Sequence, residues 1–397
     1  LEGLSVKRSY DFIVLGCGGL GSAALYWLSR QASDQVLGLE QFRLGHEYGG
    51  SQDHSRIIRL SYDDPAYAAL TPFTYIAWKE LEAESGIQLV FQTGGIVFGP
   101  SDMGEEDEIE RYAAAMRRQG IPFEVLSAAE TMRRFPQFNL RADDRVIYQA
   151  YSGFVDARKA NAVHTTLARG RGATVLEETQ VEQIEPKGEG VLLKTSAGDF
   201  HCKRLVITAG GWANKLLENV GVNLPLIVTE EQVTYFATPH LRDFSPERFP
   251  VWIWHGEDVF YGFPVYGEVA TKAGQDLGGD VVTVDTRTFE PNPRPLEKLQ
   301  NFLAERIPDF LGPQLYTKPC IYTMPPDRGF VIDTLPNLPQ ISVAIGAGHA
   351  FKFASLIGLI LSELAIDGNS SYDISAFSLS RAAITDPNFQ SLIKLAG

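Results

Sequence analysis

The stretch Tyr10–Arg30, YDFIVLGCGGLGSAALYWLSR, decides the fold. Its first seven residues are a short apolar run of strand formers, the glycine-rich middle makes a tight turn, and Ser22–Arg30 continues as a helix. A second strand, Gln35–Glu40 (QVLGLE), ends in an acid 19 residues after Gly21. Strand, turn, helix and acid at these distances form a dinucleotide-binding unit. Gly16 makes the turn, Gly18 lets the backbone approach a pyrophosphate, Gly21 packs helix on strand, and Glu40 accepts from an adenosine ribose hydroxyl. The turn alone does not choose between NAD and FAD.

Beyond this unit, Phe73–Glu84 has helical spacing, and Gln88–Phe98 holds two β-rich runs that suggest a hairpin around Gly94 and Gly95. An amphipathic helix over Gly104–Gly120, acidic at its start and Arg-rich at its end, suits the helix dipole. From Ala160 to Ala209 a helix is followed by the strand-like runs ATVLEE, VEQIEP, GVLLKT and RLVITA, which return the chain to the nucleotide domain. Leu226–Lys272 then supplies IVTEEQVTYFA, FPVWIW, VFYGFPVY and GEVATKAG, the makings of an antiparallel sheet in a second domain. The loop Pro291–Pro295 enters a helix over Leu296–Arg306, and a Gly-rich turn at His349 leads into an apolar helix over Phe353–Leu364.

At 397 residues the chain is long enough for two or three domains, and 44% apolar with 21% charged residues is a globular balance. Lys and Arg total 35 against 49 Asp and Glu, a net charge of −14 that opposes binding to nucleic acid or anionic lipid surfaces. The three cysteines, Cys17, Cys202 and Cys320, make no disulfide framework, so a reducing compartment, the cytoplasm, is expected. Leu1–Tyr10 has no apolar run behind Lys7 and Arg8 and no initiating Met, and reads as a trimmed or engineered start without a secretion signal. Phe353–Ile366 is too short for a membrane span and is interrupted by Ser355 and Glu363. Histidines 46, 54, 164, 201, 240 and 255 form no ligand-spaced cluster, so no metal is expected, and neither a GxSxG elbow nor a Walker loop occurs.

The order of five segments resembles the sarcosine oxidase family of flavoproteins, which includes monomeric sarcosine oxidase, N-methyltryptophan oxidase and pipecolate oxidase. They are IVLGCGGLGSAA, HSRIIRLSY (54–62), YGFPVYGEVATKAG (261–274), KPCIYTMPPDRGFVID (318–333) and GAGHAFKFASLIGLILSELA (346–365). The resemblance covers nearly the whole chain. It implies an α/β protein of the DAO type, with a Rossmann-like FAD domain assembled from 1–90, 151–222 and 326–397. A mainly antiparallel substrate domain would take 91–150 and 223–325. It also implies FAD as cofactor, oxidation of a secondary-amine amino acid to an imine that hydrolyses, O2 as acceptor, hydrogen peroxide as product and a monomer.

Residue by residue, the resemblance gives Cys320 a thioether to the flavin 8α carbon, a bond for which a thiolate is the natural nucleophile. Arg59 and Lys352 would bind the substrate carboxylate, one as a planar fork and the other as a point charge. Lys272 would stand at the reactive edge of the flavin and stabilise the charge that develops on oxygen. Ser55 and Arg56 would lie near the flavin ring, and Gly348 and His349 would form the turn that aims a helix N-terminus at its pyrimidine end. Tyr261 and Tyr322 would line the substrate cavity. Pooled positive charge would also favour the neutral substrate amine, whose lone pair the oxidation requires.

Two departures stand out. Where sarcosine oxidase and N-methyltryptophan oxidase have a histidine four residues after the oxygen-site lysine, this chain has Asp276, and Ser51–Ser55 lacks their histidine pair before Arg56. A carboxylate at 276 would alter the charge around the amine and disfavour sarcosine itself; its bland reading is a solvated turn residue ahead of Gly278. A dehydrogenase passing electrons to another acceptor, and a non-catalytic FAD-binding protein, are the competing readings. Lys272 favours the oxidase.

Overall fold

The computed structural model describes residues 7–101 and 108–394. The opening six residues and the acidic start of the helix expected from Gly104 lie outside the described residues; that helix is seen over Glu108–Arg118, with Arg117 and Arg118 in its last turn.

The apolar run at the start becomes the strand Ser9–Leu15, which pairs in parallel with Val36–Leu39 on one side and Phe200–Ile207 on the other. Among the described residues eight strands form this first sheet. Thr174–Leu176 extends it in parallel beyond Val36–Leu39, and Leu338–Ile345 runs parallel to Phe200–Ile207. Parallel strands need both faces covered. One face receives the helices Gly19–Ala32, Ala157–Gly170 and Ala354–Asp367, through Leu25, Trp27 and Leu361 among others, and the other packs Ile13, Leu37 and Ile207 against Ala213–Leu217. The helix expected from Phe73 begins earlier, at Pro65, where Asp64 accepts a hydrogen bond from the Ala66 N–H at 2.7 Å, and it runs through Pro72 to Ser85.

The expected hairpin over Gln88–Phe98 does not form. Val90–Gln92 pairs with Gly153–Asp156 in a three-stranded sheet that also holds Ser55–Ile58, whereas Gly95–Gly99 joins the second large sheet between Arg145–Gln149 and Val251–His255. The reason is tertiary. Phe91 stacks on Phe154 while Phe98 packs into the aromatic core beside Trp254, so the two runs are claimed by different cores and Gly94 carries the chain between them.

The second large sheet has nine strands among the described residues, and every pairing but that of Val251–His255 with Gly95–Gly99 is antiparallel. Its register decides where the chemistry sits. Lys272 lies opposite Tyr235 and Phe263, Gly274 opposite Tyr261 and Val233, and Cys320 opposite Glu231. Residues two apart on a strand share a face, so Tyr261, Lys272, Asp276, Cys320 and Tyr322 all project from one side of the sheet. The other side carries Phe236, Trp252, Phe260 and Ala273 into the aromatic core, sealed by the helix Pro293–Arg306.

Candidate active site

A cleft of about 1300 Å³ lies between that face of the second sheet and the strand ends of the first. Every residue given a cofactor, substrate or catalytic role from the sequence lines it except Gly21, which is inside the helix.

At the nucleotide end, Gly16 has φ +87°, and a Cβ on Gly21 would sit 1.8 Å from the Gly16 carbonyl oxygen, so only glycine allows this turn and this packing. Glu40 accepts from the Cys17 N–H at 2.9 Å and the Phe42 N–H at 3.0 Å, which ties the second strand to the turn and leaves carboxylate lone pairs for a ribose. Ser51 Oγ accepts from the Gly19 N–H at 2.8 Å, a contact with the glycine turn that sequence reading missed.

In the middle of the cleft, Lys272 Nζ donates to Asp53 Oδ2 and to the Ser55 carbonyl, both at 2.8 Å, and lies 4.1 Å from the centre of the Phe263 ring. Only 2% of Lys272 and 4% of Asp53 is exposed, so this is a buried ion pair. Burial lowers the Lys272 ammonium to about 8, Asp53 acting to restore it and Arg56 lowering it further. Burial would raise the Asp53 carboxyl, but the charges of Lys272 and Arg56 overcome this and hold it below the usual carboxylate range. Arg56 also bonds the carbonyls of Gly50, Gln52 and Ser55 and so fixes the loop that carries Asp53. Asp53, at φ +135°, went unremarked in the sequence; its signal is that a buried lysine and arginine need a counter-ion, and it is the acid that stands three residues before Arg56.

Cys320 faces the same space with a free thiol. Burial pushes it up to about 11, Arg56 pulling the other way.

At the far end, Arg59 lies between the rings of Tyr62 and Tyr112, 4.9 and 5.1 Å away, and donates from Nη2 to Tyr112. Its Nε and Nη1 are buried without a hydrogen-bond partner among the described residues. Lys352 donates to the Tyr62 hydroxyl at 3.0 Å and the His349 carbonyl at 2.9 Å, and burial with the nearby Arg59 charge drives its ammonium well below the usual lysine range. His349 is likewise driven down by burial, then by Lys352 and Arg328; its ring nitrogens approach Tyr62 and the Arg328 carbonyl, and a Cβ on Gly348 would strike the Tyr322 ring. Burial raises the Tyr261 and Tyr322 hydroxyls, so both stay protonated near neutrality.

Asp276 closes the strand Thr271–Asp276 and lines the cleft rather than a solvated turn. Arg328 Nη2 donates to it at 2.6 Å, which offsets its charge. Arg328 was missed although its segment carried the resemblance; a basic residue between PPD and the buried Phe330 and Val331 satisfies the same test that selected Arg59 and Lys352.

A glycine cradle with an acid behind it, joined to a cavity whose far wall offers an unpartnered guanidinium, fits an FAD with an anionic substrate beside it. Gly16, Gly18, Glu40 and Ser51 would hold the adenosine and pyrophosphate, Ser55, Arg56, Cys320 and Gly348 the ring system. When bound, the cofactor supplies a two-electron acceptor. Fold and cleft together define a flavin-dependent oxidoreductase of the two-domain, Rossmann-containing class. Residues 11–364 match the family described as DAO, FAD-dependent oxidoreductase, and the chain belongs to it. It is 34% identical to monomeric sarcosine oxidase of Streptomyces avermitilis, across 95% of this chain and 99% of that protein. Identity to peroxisomal sarcosine oxidase of Homo sapiens is 32%, across 94% and 97%. Among solved structures it resembles NikD, an unusual amino acid oxidase essential for nikkomycin biosynthesis, in its open form, with a TM-score of 0.82, 28% identity and coverage of 98% and 100%.

Among the described residues no helix is long and apolar enough to cross a membrane.

Proposed function

We propose that this protein oxidises a secondary-amine amino acid, N-alkylated or cyclic, at the CH–NH bond, with FAD linked through Cys320 and O2 as acceptor. The products are an imine that hydrolyses and hydrogen peroxide. The observation that carries this reading is Arg59: a guanidinium with two buried, unpartnered N–H groups, next to a buried Lys352, calls for a carboxylate. Arg59 and Lys352 would orient the amino acid by that carboxylate, and Tyr261 and Tyr322 would shape the space around its nitrogen. The charges of Arg59, Arg328 and Lys352 keep the amine neutral, while Asp276, held by Arg328, opposes them weakly. Lys272, pinned by Asp53, supplies the cation beside which oxygen is reduced.

The same reading gives 1–90, 151–222 and 326–397 to the cofactor and 91–150 with 223–325 to the substrate. It has the chain act alone in the cytoplasm, where its three cysteines stay free. The test is a panel of N-methyl, N-alkyl and cyclic amino acids, with peroxide measured during turnover and flavin bleaching measured without oxygen. Peroxide in step with bleaching is expected. Bleaching with turnover only on an artificial acceptor would make the protein a dehydrogenase, and no bleaching with any secondary amine would remove the enzymatic reading. After acid denaturation the yellow colour is expected to stay with the polypeptide, and to be released in Cys320→Ser.

A further inference from the structure

His46 has no part in the chemistry described above, yet it lines the cleft at the nucleotide end, beside Glu40. Its ring packs against Phe42, with 4.8 Å between centres, and stacks on Tyr48 at 5.7 Å; only 17% of its side chain is exposed. The Tyr48 N–H donates to His46 Nδ1 at 3.1 Å, and His46 Nε2 lies 3.5 Å from Glu40 Oε1. Burial lowers the ring below the ordinary histidine range against the pull of Glu40, and Arg287 lowers it further, so near neutral pH it carries one proton. An imidazole that accepts at Nδ1 holds that proton on Nε2, which here faces Glu40. Tyr48 is itself held from the second sheet. Arg287, buried and just beyond the strand Asp280–Val282, donates to the Tyr48 carbonyl. Its guanidinium lies 3.8 Å from the centre of the Phe289 ring, which meets Tyr48 edge-on.

We propose that His46 is a positioning residue for the adenosine of the cofactor: its Nε2–H holds Glu40 in the orientation that receives a ribose hydroxyl, and Arg287 sets His46 through Tyr48. The inference rests on Glu40 reading the ribose, and not on the reaction that the flavin serves. Glu40 Oε1 takes the Phe42 N–H at 3.0 Å and faces His46, so both its lone pairs are engaged. Among the described residues Oε2 takes only the Cys17 N–H, at 2.9 Å, and keeps one lone pair. The two backbone donors alone would leave a free lone pair on each oxygen and the choice between them open. With His46 in place, only the oxygen tied to the glycine turn has room for a ribose hydroxyl. A carboxylate fixed in this way has less freedom to lose when the nucleotide binds, and a group one step behind a contact can strengthen it for that reason. The aromatic packing of His46 between Phe42 and Tyr48 keeps the ring from turning its Nε2–H elsewhere.

The test uses the full-length protein carrying Cys320→Ser, so that the flavin exchanges, and two ligands: FAD, and FAD without the 2′-hydroxyl of its adenosine ribose. Kd is read from the change in flavin absorbance. The Cys320→Ser protein should bind FAD about tenfold more tightly than the analogue, the worth of one hydrogen bond to a carboxylate. His46→Leu should lose most of that preference, binding FAD about tenfold more weakly and the analogue almost as before. His46→Gln, whose amide can accept from Tyr48 and donate to Glu40, should recover most of it. Arg287→Met should shift the preference in the same direction, by less. A loss of equal size for both ligands in His46→Leu would mean that the ring only packs or meets the adenine, and would overturn the proposal; so would an unchanged Kd for both. Glu40→Ala separates the two layers. If it keeps the preference for FAD, the ribose is not read by Glu40, and that reading falls and takes the proposal with it. If His46→Leu does not fold, Arg287→Met decides: an undiminished preference there overturns the proposal.

Discussion

Two groups of cations stand in one cleft and are treated in opposite ways. Lys272 and Arg56 are closed off by Asp53, whose two carboxylate oxygens are shared among Lys272, Arg56 and Tyr235. The hydrogen bonds of Arg59 and Lys352 go to neutral groups, two tyrosines and a backbone carbonyl, and two N–H groups of Arg59 have no partner among the described residues. Buried charge is costly unless paired. The first group is therefore complete in the protein alone and holds its charge in place for a reaction. The second is incomplete without an anion, which on the proposed reading makes it the place where the substrate carboxylate binds. The following experiments break one side of this contrast at a time.

The largest effect should come from the closed group. Asp53→Ala leaves Lys272 and Arg56 without their counter-ion, and about 3–5 kcal/mol of stability should go, as when one partner of a buried pair is removed. Denaturant melts of the holoprotein measure it. The pH dependence has a definite sign. The Asp53 carboxyl is held below its unfolded value, so its stabilisation is complete above the ordinary carboxylate range and fades as pH falls through and below that range. Asp53→Asn should flatten this acid limb; an acid limb identical to wild type would mean that Asp53 is not charged in the folded protein.

The open group should respond in binding and not in stability. Truncating Arg59 or Lys352 to Ala should weaken substrate binding by about 2–5 kcal/mol in anaerobic flavin titrations, the cost of removing one partner of a buried charged contact. Amines without a carboxylate should bind the variants and wild type alike. Equal loss for both kinds of amine would show that these cations shape the cavity and do not read the carboxylate. Lys272→Met, by contrast, should spare substrate affinity and slow reoxidation by two to three powers of ten, ~2.7–4 kcal/mol in barrier. Rapid mixing of the reduced variant with O2 separates the two half-reactions, and an equal effect on both would contradict the division of labour.

The two ends of the cleft also differed in how well they could be read. Tyr10–Arg30 was legible because a dinucleotide turn is made by backbone, and the glycines it requires are visible as letters. The strands of the second sheet were legible as β-rich runs, and Lys272, Asp276, Cys320 and Tyr322 were found, but their common face was not, since it depends on which strands pair. The false hairpin at Gly94 has the same origin: Phe91 and Phe98 are both apolar, and only the packed structure tells which core each enters. Asp53 and Arg328 escaped because cations and acids were weighed one at a time. Their meaning is in pairs, Asp53 with Lys272 across 219 residues and Arg328 with Asp276 across 52.

Cys320 lies on the side of the closed group, close enough to Arg56 for that charge to favour its thiolate, yet buried enough that its thiol is pushed up to about 11. Below that value the thiolate fraction rises about tenfold per pH unit, so attachment of FAD to cofactor-free protein should quicken from pH 7 to 9. Colour retained by the denatured polypeptide reports the rate. Arg56→Lys, with a charge but no fork, should slow attachment less than Arg56→Met. A rate flat in pH would mean that thiol deprotonation does not limit the bond.

The smallest effect, and the one that bears most on substrate choice, concerns the pair that bridges the contrast. Asp276 and Arg328 stand beside the open group, and their charges cancel at 2.6 Å. Partial exposure, 21% for the Asp276 side chain and 26% for Arg328, weakens the pair, so its loss should cost little stability. Asp276→Asn keeps the shape, removes the negative charge and releases Arg328, whose Nε already has no partner among the described residues. The far end then carries one more uncompensated positive charge. Lys352, which Asp276 helps to keep protonated, should lose its proton more readily, and flavin reduction should show the change in its pH profile. A substrate with a second carboxylate should gain about tenfold in kcat/KM over one with a single carboxylate, ~1.4 kcal/mol, because the freed guanidinium now has an anion to meet. Asp276→Glu should leave the ranking near wild type. If Asp276→Asn alters neither the ranking of substrates nor the pH profile of reduction, the pair is a strut between the strand and the 325–329 turn, and selection among amino acids is made by Tyr261, Tyr322 and the walls around them.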